Sequence, residues 1–122
     1  MNRILVVDDE PFITQMLGRM LKQHDVTTAT SGVAALELLE NDAEFGVVLC
    51  DLMMPEITGM DLYDRVKVDN PGLAARFVFM TGGAFYPEVR EFVARKERPC
   101  LGKPFDRNLL LETIDEVLPS AE

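Results

Sequence analysis

Apolar residues in this chain fall into runs at 4–7, 45–50, 77–80 and 100–102 that lack polar alternation, separated by longer segments in which they recur every three or four positions. Runs of this length, rich in Val, Ile and Phe, predict strands buried on both faces, as in a parallel sheet covered by helices. The intervening segments predict helices whose inward stripes are Phe12, Met16 and Met20; Val33, Leu36 and Leu39; Leu62 and Val66; Val89, Phe92 and Val93; and Leu110, Ile114 and Val117. Their Met and Leu side chains are expected in the core. Pro11 and Pro87 suit first helical positions, Thr58 with Asp61 forms a capping box, Asp106 an N-cap, and Pro119 ends the last helix. An alternating, half-exposed strand is expected at 26–30. Five βα units with right-handed crossovers make a doubly wound α/β sandwich with five helices.

Each of the four runs ends on a residue with chemistry: Asp8 and Asp9, Asp51, Thr81, and Lys103. Open parallel sheets bind ligands at the carboxyl ends of their strands, so these groups, remote in sequence, are expected at one edge. Adjacent carboxylates at Asp8 and Asp9 are costly without a shared cation, and hard oxygen donors suit Mg²⁺. On their own the two could equally serve as acidic groups near the start of a helix. Asp51 ends the apolar stretch Val47, Val48, Leu49, Cys50, where a carboxylate needs a metal or a lysine. So placed, it can act as a nucleophile toward phosphorus. Thr81 can donate to a phosphoryl oxygen, and Gly82 and Gly83 let the following backbone approach an anion closely and move afterwards. Pro104 disfavours helix at Lys103 and holds its ammonium in an extended or turn geometry.

Composition narrows the classes. With 122 residues there is room for one domain, 1–122, and no effector module. Lys and Arg number 12 against 21 Asp and Glu, a formal charge of -9, and no basic patch carries interleaved aromatics, so nucleic acid is a poor partner. The apolar runs are too short to span a bilayer and no signal peptide is read at the N-terminus, so a cytoplasmic location is expected. His24, the only histidine, reads as surface decoration, so the phosphoryl group is expected from another protein or domain.

The sequence resembles the receiver domain of response regulators in two-component signalling. The resemblance covers essentially the whole chain and rests on Val6-Val7-Asp8-Asp9-Glu10, Asp51-Leu52-Met53-Met54-Pro55 with Gly59, Phe79-Met80-Thr81-Gly82, and Lys103-Pro104-Phe105. It implies a flavodoxin-like strand order 2-1-3-4-5. It also implies Mg²⁺ or Mn²⁺ held by Asp9, Asp51, the Met53 carbonyl and, through water, Asp8. Asp51 would be phosphorylated from a histidine kinase or histidine phosphotransfer protein in a self-catalysed reaction, with Thr81 and Lys103 touching the phosphoryl group. The stretches around Thr81 and Lys103 look most like receivers fused behind hybrid histidine kinases. In the implied order Cys50 and Cys100 lie on strands separated by a third, too far apart for a disulfide.

One position departs from the pattern. Receivers commonly carry Tyr or Phe three residues before the lysine, and here Cys100 stands there, so the switch is expected to run through Thr81, Gly82, Gly83 and Phe85 or Tyr86 instead. Rival readings are a non-phosphorylated docking module and an aspartyl-nucleophile phosphatase. The haloacid dehalogenase type of the latter wants a second Asp where Met53 stands. A flavodoxin-type electron carrier is disfavoured because Asp8-Asp9-Glu10 would repel a cofactor phosphate.

Overall fold

The computed structural model describes residues 3–42, 44–82 and 86–118. In chain order the elements are β1 (Arg3–Val7), α1 (Pro11–Met20), β2 (Asp25–Ala29), α2 (Gly32–Asn41), β3 (Val47–Asp51), α3 (Gly59–Asp69), α4 (Pro71–Ala74), β4 (Phe77–Thr81), α5 (Pro87–Ala94), β5 (Cys100–Gly102) and α6 (Arg107–Val117). The strands form one parallel sheet in the order β2-β1-β3-β4-β5. This is the expected doubly wound arrangement.

Strand side chains alternate between two cores, which is why the apolar runs show no polar positions. Leu5, Val7, Val48, Cys50, Phe77 and Phe79 pack under α2, α3 and α5, with Ala35, Leu39, Leu62, Val66, Val89 and Phe92. Ile4, Val6, Val47, Leu49, Val78 and Met80 pack against Leu17 of α1, Leu21 just after it, and Leu110 and Ile114 of α6. Tyr63 meets Phe77, Phe79 and Phe92 edge-on at centroid separations of 5.6, 5.4 and 5.8 Å, which adds directional contact to the first core.

Helix boundaries follow local chemistry. Pro11 and Pro87 occupy the first turns of α1 and α5, Thr58 and Asp61 make the reciprocal capping box of α3, and Asp106 accepts from the Leu109 amide. Pro119 lies outside the described residues. Four expectations need correction. A sixth helix, α4, follows α3 because the Asn70 side chain accepts from the Leu73 amide and Pro71 starts the turn. The second strand begins and ends one residue earlier than 26–30. The inward stripe of α1 is rotated by about one residue: Thr14 and Leu17 are buried, Met16 and Met20 are half-buried, and Phe12 is 72% exposed. The cause is Thr14, whose hydroxyl donates to the Pro11 carbonyl at 2.9 Å and so enters the core already satisfied. Val33 also faces outward while Ala35 takes the buried place in α2.

Candidate functional site

At the carboxyl edge of the sheet, the ends of β1, β3 and β4 and the residue after β5 bring Asp8, Asp51, Thr81 and Lys103 together. Asp8 leaves β1 with its amide donating to the Ala29 carbonyl at 3.1 Å. Its side chain is fully buried: Oδ1 accepts from the Glu10 amide at 2.9 Å and Oδ2 accepts from Lys103 Nζ at 2.7 Å. Asp51, in register with Met80 of β4, is also buried. Its Oδ2 accepts from the same Nζ at 3.2 Å, and its Oδ1 from the Met53 amide at 3.4 Å. Lys103 thus bridges the ends of β1 and β3 from a residue beyond β5. Its amide donates to the Thr81 carbonyl at 2.8 Å, which sets the two side by side, and the Lys103–Pro104 peptide is cis.

Two buried carboxylates share one ammonium, and the imbalance shows in the protonation of Asp51. Burial, reinforced by the neighbouring charge of Asp8, raises the Asp51 carboxyl to about 6 against the opposing pull of Lys103. Burial pulls the Lys103 ammonium down, but its bonds to Asp8 and Asp51 outweigh this and leave it above its usual value. Asp9 and Glu10 are exposed at the mouth. One carboxylate oxygen from each of Asp8, Asp9 and Glu10 lies within 4.8 Å of the others. Glu10, whose side chain is 3.9 Å from Lys103, was part of a recognised motif without a role of its own. Asp51 joins this group through the shared Lys103. A hard divalent cation fits such a place, since the donors are carboxylate oxygens and the buried pair exceeds its single cation by one negative charge.

The remaining candidates are more peripheral. Met53 is half-buried after the β3 terminus, and Gly82 is exposed after Thr81. Gly83 and Phe85 lie outside the described residues. Cys100 pairs in register with Phe79 and is half-buried, with its thiol donating to the Arg98 carbonyl at 3.6 Å. Cys50 is buried on β3, two strands from Cys100, and both thiols are free. Burial raises both. Such thiols behave as small core residues. His24 follows α1 and is half-buried, so it is only partly the surface residue expected. Among the described residues, no helix is long and apolar enough to cross a membrane.

Sequence comparison agrees with this arrangement. The family model for the response regulator receiver domain matches residues 4–115. The transcriptional regulatory protein GlrR of Escherichia coli is 31% identical over 117 residues, covering 94% of this chain and 26% of GlrR. This chain therefore spans about a quarter of that relative's length. The chemotaxis protein CheY1 of Helicobacter pylori is 30% identical and is matched over nearly its whole length, with 95% of this chain and 96% of CheY1 covered. Among solved structures, a response regulator receiver domain protein from Clostridium thermocellum superposes with a TM-score of 0.82 at 28% identity, covering 96% of this chain and 94% of that one. The fold, the matched motifs and these relatives together establish that the chain belongs to the response regulator receiver domain family of two-component signalling.

Proposed function

We propose that this domain is a phosphorylation-dependent switch in which Asp51 accepts a phosphoryl group from a phosphohistidine of a histidine kinase or histidine phosphotransfer protein. The observation that carries this reading is the buried Asp51 carboxylate, tied to Asp8 through a single ammonium at the sheet edge. A carboxylate oxygen of Asp51 attacks phosphorus; the P–O bond forms as the P–N bond to imidazole breaks, and the imidazole leaves to be protonated. Lys103, already within hydrogen-bond distance of Asp51, is placed to pair with a phosphoryl oxygen as that charge arrives. Thr81, on the neighbouring strand end, supplies a hydroxyl donor.

Asp8, Asp9, Asp51 and the Met53 carbonyl are the ligands we assign to Mg²⁺ or Mn²⁺, with Glu10 beside them. When bound, the cation supplies positive charge that offsets the crowded carboxylates and the phosphoryl oxygens. Output would then run through the 82–86 loop and α5 as Thr81 is drawn toward the phosphoryl group. Cys100 leaves no inward-turning ring at its position, which gives that loop the greater part in the switch.

Incubation with acetyl phosphate and Mg²⁺, followed by intact mass measurement, tests the assignment. A stoichiometric gain of one phosphoryl group is expected for the native chain and none for Asp51→Asn. A full gain in that variant would remove Asp51 from the reaction.

A further inference from the structure

The segment between β3 and α3 carries Met53 and is held by two glycines with no room for a side chain. At its far end, a Cβ on Gly59 would collide with the Asp51 carbonyl oxygen and lie 3.0 Å from Leu52 Cα, and the Gly59 amide donates to the Leu52 carbonyl at 2.9 Å. At its middle, the partner comes from another part of the chain. Gly32, the first residue of α2, sits so close to Ile57 that a Cβ there would overlap the Ile57 carbonyl oxygen, with Ile57 Cβ only 2.8 Å away. Directly before Ile57, Glu56 holds φ of 67°, a conformation that a non-glycine residue keeps only where its surroundings enforce it. The Ile57 amide closes the turn by donating to the Pro55 carbonyl at 2.8 Å.

We propose that Gly32 is a positioning residue for the site: by letting the start of α2 rest directly on the Ile57 backbone, it sets the place of the segment that carries the Met53 carbonyl and follows the Asp51 carboxylate. The proposal rests on the reading of that edge as a metal-dependent phosphoacceptor site. Gly32 touches none of the reacting groups. Its nearest contact is a backbone atom, the Ile57 carbonyl oxygen, which cannot rotate away as a side-chain tip can, so an added methyl must displace either α2 or the segment.

The test compares Gly32→Ala with two controls. Gly18→Ala makes the same change in α1, where an added Cβ meets nothing within 4 Å. Val66→Ala lowers stability from the buried face of α3. Mg²⁺ affinity is measured by calorimetric titration, and amide exchange at Met53, Ile57 and Gly59 is followed in metal-free protein. Supporting groups of metal sites typically alter affinity about 10–100-fold, so Gly32→Ala is expected to weaken Mg²⁺ about tenfold and to speed exchange at the three amides. Both controls should stay within about twofold of the native affinity. Native affinity in Gly32→Ala, or an equal loss in Val66→Ala, would overturn the proposal. Should Gly32→Ala fail to fold, Ile57→Ala decides, because it removes the side chain resting on Gly32 without adding a clash: a loss of about threefold supports the proposal, and an unchanged affinity overturns it. If the native chain binds no Mg²⁺, the functional reading falls by itself. Exchange in Gly32→Ala then still decides whether Gly32 places the segment, since unchanged rates would overturn that too.

Discussion

The two edges of the sheet handle charge in opposite ways. At the amino edge, guanidinium groups are met by partly exposed carboxylates and by backbone carbonyls: Arg3 pairs with Asp42 at 2.8 Å and with Asp25 at 3.8 Å, Arg76 Nε donates to the Phe45 carbonyl at 3.0 Å, and Arg98 Nε donates to the Phe77 carbonyl at 2.8 Å. These guanidinium groups tie loops to strand starts. At the carboxyl edge, Asp8 and Asp51 divide a single ammonium between them, and Asp9 and Glu10 add further negative charge at the rim. One edge is closed by its charges, and the other is left with an excess that an incoming cation or a protein's phosphoryl chemistry can use.

The largest break in this contrast is expected from Lys103→Met. It leaves two buried carboxylates without their cation, a situation that typically costs about 3–5 kcal/mol. Because Asp51, no longer held down by the ammonium, would then be protonated more readily in the folded state, the loss should be greatest at neutral pH and shrink in acid. Chemical denaturation at pH 7 and pH 5 measures it; an equal loss at both would mean that the ammonium is not what balances the pair.

The opposite sign is expected for Asp51→Asn in metal-free protein. The folded-state value of about 6 lies above the usual 3.8, so the folded chain holds the proton more tightly than the unfolded one, and native stability declines as pH rises from about 4 to about 6. Above that window Asp51 destabilises by about 3 kcal/mol, and the asparagine removes most of this. The two denaturation curves should coincide near pH 4 and separate by neutral pH. Curves that stay parallel throughout would show that Asp51 is not strained by its surroundings.

The smallest effect belongs to the closed edge. Arg98→Ala should cost about 1 kcal/mol by leaving the Phe77 carbonyl without its donor, with little dependence on pH between 4 and 8. A pH-dependent loss of the size expected for Lys103→Met would erase the distinction between the edges.

Much of this arrangement is legible in the sequence because strands buried on both faces announce themselves as unbroken apolar runs, and the residue after each run is the one delivered to the sheet edge. Asp8, Asp51, Thr81 and Lys103 could be placed together on that ground. The face of α1 was harder to read, since Thr14 counts as polar in any periodicity while its hydroxyl is satisfied within its own turn. The helix at Pro71 is a single turn fixed by an Asn70 side chain, too short for a repeating pattern. Nor does sequence spacing show that Lys103 lies closer to Asp8 than to Asp51, or that Gly32 touches Ile57, since both depend on how crossovers pack.

Lys103 reaches the site from the end of β5, a three-residue strand at the border of the sheet that hydrogen-bonds on one side only, to β4. Such edges open more cheaply than the body of a domain, in local excursions that leave the rest folded. Each excursion of β5 withdraws the ammonium while Asp8 and Asp51 stay on the interior strands β1 and β3. The counter-ion of this acidic edge is therefore its most weakly tethered member, and the breathing of one short strand sets how often the two carboxylates stand exposed to whatever cation or donor is near.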